Sequence, residues 1–289
     1  MRSSKSSRNM VKNALKVIAF SAIALLLACS SSTTYKRAEI VQSFVSICKK
    51  EFNMDIKAWD IGETIWVYVP LDHLMNDKNQ FYPDVNARLG HVFLALRRII
   101  LSIDKQPKFY SLVFSDVKEK GADFFYIGYV PDMIKVDASM ISLGQWYERA
   151  GFSYSPNPKA MGDLTGSHFT RADITLGDLI AFLVRQAIEV KYTDKSMKDF
   201  FLPNSVETYY HNNKLEVIFD IEPIAKDEKS QKQLPPPVFK TVKDIVKKFI
   251  LIYDFKNLPE IEINDIANKK KRVYSLPAFM DDITTPETN

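Results

Sequence analysis

Two segments of the sequence end alike, and each closes a predicted β-hairpin: "WVYVPLD" at 66–72 and "YIGYVPD" at 126–132. Each hairpin follows a segment with the 3.6-residue apolar period of an amphipathic helix. One hairpin alone buries too little apolar surface to be stable, so the two units must pack together. The sequence therefore predicts an α+β fold in which the helix-hairpin unit is repeated twice, forming one antiparallel sheet with helices on one face.

The predicted elements follow from apolar periodicity and from the turn residues between the segments. In the first half they are a helix at 38–52, strands at 55–61 and 64–70, a helix at 84–103, strands at 109–116 and 123–130, and a shorter helix at about 139–150. In the second half, Thr175 is followed three residues later by Asp178, which predicts a capped helix. The remaining elements are a strand at 214–221, a helix capped by Thr241 and ending near 253, and strands at 260–266 and 271–276.

These elements divide the chain into parts of different kinds. The expected parts are a signal peptide at 1–28, a tether at 29–37, an α+β domain at 38–150, a second and smaller α+β portion at 175–276, and a flexible tail at 277–289. The turn-rich residues 151–174 predict a boundary or an ordered surface loop. The charged, proline-rich residues 223–237 predict an exposed loop.

The N-terminus has the layout of an export signal. Five basic residues and no acidic residue occur in the first 28 positions, and Val17 to Ala28 is apolar apart from Ser21. A basic start, an apolar core of about 7–15 residues and a small residue before the cleavage site are typical of a secretory signal peptide. A membrane-spanning helix needs about 20 apolar residues, so this run is too short to be one.

The residues at the end of the apolar run are more specific. Leu26-Leu27-Ala28-Cys29 resembles the lipobox of bacterial lipoproteins. The resemblance implies that Cys29 is acylated on its sulfur and becomes the first residue of the mature chain, with a membrane anchor through its acyl chains. Two or three acyl chains hold a protein stably where a single chain is marginal. In bacterial lipoproteins an aspartate directly after the cysteine commonly signals retention in the inner membrane. Ser30 occupies that position here, so the resemblance implies transfer to the outer membrane. An ordinary secretory signal with a chance cysteine is the alternative.

Removing the signal changes the charge of the protein. The precursor carries a formal +4, but residues 29–289 contain 34 basic and 35 acidic residues, a net charge of −1. This balance argues against a nucleic-acid partner, which requires a clustered positive surface. Cys48 is then the one remaining cysteine, and its position on the apolar stripe of the first helix predicts burial.

Aromatic residues crowd the four strands of the first half, and strand periodicity places them on both faces. Since a sheet covered by helices on one side usually has a polar second face, something must cover this second face. The second half of the chain is the favoured cover. A partner protein and a lipid-like ligand are the alternatives.

One loop contains a set of residues that nucleophilic catalysis uses. In "GDLTGSHF", Asp163, Ser167 and His168 lie within six positions. Catalysis would require the serine to bond the histidine and a third group to orient that histidine. Nearness in sequence does not provide that geometry, and these residue types also form turns.

The sequence predicts a lipid-anchored envelope protein with a binding or scaffolding role, without enzyme activity, cofactor or metal. Its expected partners are the membrane, through acyl chains on Cys29, and an envelope protein. The alternative is a hydrolase of envelope polymers that uses the loop at 162–168.

Overall fold

A computed structural model describes residues 35–224 and 237–281, and the predicted α+β class is confirmed. The described helices are α1 (Ile40–Phe52), α2 (Pro83–Ser102), α3 (Val130–Asp137), α4 (Leu143–Tyr147), α5 (Leu176–Thr193), α6 (Val238–Ile252) and α7 (Leu276–Asp281). The strands are β1 (Lys57–Ile61), β2 (Thr64–Leu71), β3 (Phe109–Asp116), β4 (Ala122–Tyr129), β5 (Gly151–Pro156), β6 (Phe201–His211), β7 (Lys214–Pro223), β8 (Glu260–Asp265) and β9 (Lys270–Ser275). No helix within these residues is both long and apolar enough to cross a membrane.

The first sheet has the strand order β1-β2-β3-β4-β5. Both predicted hairpins are present, but the expectation of an entirely antiparallel sheet is wrong, because β2 and β3 run parallel. The reason is the connection between them: α2 carries the chain back along the sheet, as a crossover helix does between parallel strands. The sheet is therefore mixed, with its one parallel pair at the junction of the two helix-hairpin units.

Two elements of the first half escaped the sequence reasoning. Helix α3 begins at Val130, directly after β4, and the helix expected at 139–150 is limited to α4. Strand β5 pairs with β4 along residues that we expected to form a boundary or loop. Its sequence "GFSYSP" combines aromatic residues with turn formers, so local propensity indicates a loop while pairing with β4 makes a strand.

The second sheet repeats the arrangement of the first. Its order is β6-β7-β8-β9, with antiparallel outer pairs and a parallel central pair formed by β7 and β8. Strand β6 was not predicted, and its register shifts between Pro203 and Ser205. Both halves thus share the order helix, hairpin, helix, hairpin and short helix, so the helix-hairpin unit occurs four times in the chain.

Two hydrophobic cores lie on opposite faces of the first sheet. The first core fills the space between that sheet and the pair α1 and α2, and it contains the buried Cys48, as predicted. The second core joins the other face of the first sheet to α5, α6 and the second sheet. The layers are therefore helices, sheet, helices and sheet. The favoured prediction that the second half covers the aromatic face is confirmed.

Helix α5 lies at the centre of the second core. Thr175 and Asp178 form the predicted capping box at its start. Strand β5 contacts it closely, since a Cβ added to Gly151 would lie 2.6 Å from the ring of Phe182. On its other side, a Cβ added to Gly177 would lie 2.2 Å from the ring of Tyr210 in β6. Small residues at these points let one helix contact both sheets.

The structure also corrects the ends of several predicted segments. Tyr35 bridges to Ile103, and residues 37–39 form a 3₁₀ turn, so the expected tether is shorter than 29–37. Helix α6 begins at Val238, and Thr241 lies inside it rather than capping it. Residues 277–281 belong to α7, whose Phe279 is fully buried, although we expected a flexible tail. The expected signal peptide at 1–28, with Cys29, and most of the expected exposed loop lie outside the described residues.

Candidate functional site

The candidate loop crosses the second face of the first sheet. We call residues 162–174 the covering loop. At one end of it, the Tyr68 hydroxyl donates a hydrogen bond to the backbone carbonyl of Asp163. At the other end, Trp66 Nε1 donates to the carbonyl of Ala172 at 2.8 Å. Asp173 Oδ1 accepts from the backbone N–H of Glu63 at 2.8 Å. The loop is therefore fixed at both ends to β2 and to the turn that precedes this strand.

The centre of the covering loop inserts an aromatic ring among the aromatic residues of the sheet. The Phe169 ring centroid lies 6.3 Å from Trp59, 5.9 Å from Trp66, 5.6 Å from Tyr68 and 6.0 Å from Phe125. These distances lie within the range of favourable aromatic pairs. The aromatic face thus has its partner within the same chain.

Asp163 organises the turn that precedes this ring. Its Oδ1 accepts hydrogen bonds from the backbone N–H of Thr165 at 2.7 Å and of Gly166 at 3.1 Å. Its Oδ2 accepts from the backbone N–H of His168 at 2.9 Å. Gly166 has a φ of +72°, and a Cβ there would lie 3.0 Å from atoms of Phe169 and Tyr68. The aspartate and the glycine together define the turn.

His168 lies between two carboxylates. Its Nδ1 is 2.7 Å from Asp163 Oδ2 and its Nε2 is 3.1 Å from Asp123 Oδ1. The side chains of His168 and Asp123 are only 2% and 1% exposed. Both distances are within the range of a hydrogen bond. The imidazole therefore joins the covering loop to β4.

The strands hold Asp123 in place from the other side. Ser115 lies opposite Asp123 in the register of β3 and β4, and its Oγ donates to Asp123 Oδ1. Asn157 Nδ2 donates to Asp123 Oδ2 at 2.6 Å. The result is a continuous chain of hydrogen bonds from Ser115 through Asp123 and His168 to Asp163. Buried polar networks of this kind are stable only when their members are satisfied.

The three sequence-predicted residues come together, but not as a catalytic set. Ser167 Oγ donates to Asp163 Oδ2 at 3.0 Å rather than to the imidazole. Both nitrogens of His168 face carboxylates, so neither faces a serine that it could deprotonate. A nucleophile and its base must share a hydrogen bond. The arrangement fixes a loop and lacks this requirement of acyl transfer.

The electrostatics of the cluster agree with that role. Burial alone would raise the pKa of Asp163, but hydrogen bonds from Thr165 and His168 outweigh it and hold the pKa well below its usual range. Burial, together with the charges of Asp163 and Asp123, raises the pKa of the Tyr68 hydroxyl. The carboxylate therefore stays ionised and the phenol stays a hydrogen-bond donor over the physiological pH range.

Sequence reasoning missed Asp123 and Ser115. Asp123 shares its strand face with Phe125 and Ile127, so an acidic residue stands in an otherwise apolar alternation. An isolated carboxylate at such a position requires a buried partner. That signal was available in the sequence, although it could not identify His168, which lies 45 residues further along the chain.

The face of the second sheet that points away from the helices is different. Tyr209 and Val273 on this face are 48% and 52% exposed. At its centre, Glu262 Oε2 lies 2.6 Å from Lys214 Nζ, and Glu262 Oε1 lies 2.5 Å from Lys271 Nζ. Burial opposes ionisation of Glu262, but the two lysines lower its pKa. Glu262 is thus buried beneath two lysines whose own side chains reach water.

Among residues 35–224 and 237–281, no group of three histidine, cysteine or acidic side chains could hold a metal ion. No family model matches the chain, and no curated protein and no solved structure is significantly similar to it. The description of function therefore rests on the residues themselves.

Proposed function

We propose that the protein is a lipid-anchored component of the cell envelope that works by binding or positioning a partner and carries out no catalytic step. The observation that carries the proposal is the signal-like N-terminus, whose apolar run ends at Leu26-Leu27-Ala28-Cys29. Tyr35 supports it, because this residue, six positions after that cysteine, already bridges to Ile103 of the fold. A fold that starts so soon suits a domain that works beside a membrane.

The geometry of the covering loop supports the non-enzymatic part of the proposal. Asp163, Ser167 and His168 are used to hold the loop on the sheet, and the His168 ring is almost completely buried. The hydrolase alternative would need this imidazole to reach a substrate, and its two nitrogens already face Asp163 and Asp123.

The anchor is tested by replacing the acylated thiol. Cys29→Ser should abolish incorporation of labelled palmitate and leave the precursor uncut, because the sulfur is the point of acylation. Cys48→Ser is the matched control, since that thiol is buried in the first core. Labelling should persist in the control. Equal labelling of the Cys29 variant and the wild type would refute the anchor.

The choice of membrane is a separate proposal. Because Ser30 follows the cysteine, we propose an outer-membrane location facing the periplasm. Wild-type protein should fractionate with outer-membrane markers, and Ser30→Asp should move it toward the inner membrane. Wild-type protein found with inner-membrane markers would overturn this location without affecting the anchor.

A further inference from the structure

The point at which the chain enters the fold lies at the C-terminal end of α2. The backbone N–H of Tyr35 donates to the carbonyl of Ser102 at 3.2 Å, and the N–H of Asp104 donates to the carbonyl of Tyr35 at 3.1 Å. Six peptide steps separate Tyr35 from Cys29, which is a span of at most about 20 Å. An acylated Cys29 would therefore hold this end of α2 within about 20 Å of the bilayer.

The outward face of α2 is apolar in places where a surface helix is usually polar. Leu94 and Leu101 are 44% and 39% exposed and lie seven residues apart, which is two helical turns. They occupy the side of the helix opposite Val92, Leu96 and Ile99, which are buried in the first core. Both leucines belong to the C-terminal half of the helix, next to the chain entry point.

Neighbouring elements extend this surface. Arg98 Nη1 lies 2.6 Å from Glu51 Oε2 of α1, and Arg97 forms an ion pair with Asp137 of α3. Each arginine lies three or four residues from both leucines, so its aliphatic stem extends the apolar surface while its charge is paired with a carboxylate.

We propose that this outer ridge, defined by Leu94 and Leu101, rests on the membrane surface. The proposal depends on the lipid anchor of the proposed function, because the anchor brings the bilayer to this end of α2. Exposed apolar side chains suit the boundary between headgroups and acyl chains. Near the entry point, the exposed Lys36 and Lys105, beside the acidic Glu39 and Asp104, can meet the phosphates of anionic headgroups.

The short connection favours the bilayer over a protein partner as the occupant of the ridge. Effective concentration is highest for a surface that a tether of matching length can reach. Here Tyr35 joins the fold beside Leu101, six residues from Cys29, so the membrane is the surface most constantly available to the ridge. Contact along Leu94 as well as Leu101 requires α2 to lie along the membrane rather than end-on to it.

The proposal can be tested by fluorescent labelling of single cysteines in the full-length, acylated protein. Leu94→Cys and Leu101→Cys provide attachment sites on the ridge, and Val273→Cys is a control of similar exposure on the second sheet. Burial raises the pKa of the Cys48 thiol to about 12, so it does not compete for the label. An environment-sensitive dye is attached, and the protein is inserted into vesicles of phosphatidylethanolamine and phosphatidylglycerol.

We expect a blue shift and quenching by lipids labelled near the headgroup at positions 94 and 101, and neither effect at 273. The same response at all three positions, or at none, would overturn the ridge contact. A response at 101 alone would mean an end-on approach and would also overturn it. Vesicle flotation and palmitate incorporation are measured on the same samples. Loss of both would count against the anchor itself, so the two failures can be distinguished.

Discussion

Both sheets join two hairpins through one parallel pair, and the first sheet adds β5 at its edge, yet their corresponding faces differ in chemistry. On β2 of the first sheet, the face away from α1 and α2 carries Trp66 and Tyr68, which are buried. On β7, the matching strand of the second sheet, the face away from α5 and α6 carries Glu216 and Ile218, which solvent reaches in part. The chemistry of a sheet face therefore follows from whether other parts of the chain cover that face, and not from the strand topology.

The charged groups of the two faces follow the same division. In the first sheet, His168 and Asp123 are sealed under the covering loop. In the second sheet, Glu262 is shielded by the long side chains of Lys214 and Lys271, which are themselves 25% and 57% exposed. Removing one partner of a sealed pair lowers the free energy of unfolding strongly, because the other charge stays buried without a partner. Removing a lysine that reaches water lowers it little.

The largest difference should come from truncating matched residues. Trp66→Ala removes a buried indole and its hydrogen bond to Ala172, so we expect the free energy of unfolding to fall by about 4 kcal/mol. Ile218→Ala removes a half-buried side chain from the open face, and the expected loss is about 1 kcal/mol. Urea unfolding followed by circular dichroism measures both. Equal losses would show that the open face is covered in solution.

A smaller difference should separate the two charge clusters. His168→Ala leaves two carboxylates facing each other under the covering loop, and the expected loss of unfolding free energy is about 3 kcal/mol. Lys271→Ala leaves Glu262 paired with Lys214 and open to water, and about 0.5 kcal/mol is expected. The same urea titrations serve here. A His168 variant as stable as the Lys271 variant would contradict a structural role for the imidazole.

The third difference concerns the response to acid. The pKa of Asp163 is lower in the folded protein than in the unfolded chain, so its ionisation adds stability above the unfolded value of about 3.9. That contribution is lost as the pH falls below this value. Asp163→Asn should reduce stability at neutral pH and flatten the decline in acid. Glu262, whose pKa is also lowered, would still contribute to the decline. Unfolding titrations from neutral to acidic pH would measure how steeply the free energy of unfolding falls for the wild type and for the variant. Identical slopes would contradict the assignment of this acid response to Asp163.

Local patterns predicted much of the fold. The apolar period identified α1, α2 and α5, and Thr175 with Asp178 identified the start of α5. Turn residues placed both hairpins of the first sheet within about two residues of their observed ends. The repeated helix-hairpin order also emerged from the sequence, although only in the first half.

Long-range pairing was not predictable in the same way. Strand β5 becomes a strand by pairing with β4, and the parallel pairing of β2 with β3 depends on the path of α2. The loop residues Asp163 and His168 were identified, but their role depended on Asp123, which the register brings to the same place. These features arise from tertiary contacts, and periodicity within one segment carries no information on them.

The position of the covering loop in the chain has a consequence for biogenesis. Phe169 follows the end of β4 at Tyr129 by forty residues, so a growing chain completes four strands before their aromatic cover is made. The export signal proposed for the N-terminus would send the chain across the membrane N-terminus first, so the four strands would reach the far side before Phe169 does. Until Phe169 follows, their indole and phenyl rings form a surface suited to capture by a chaperone of the envelope.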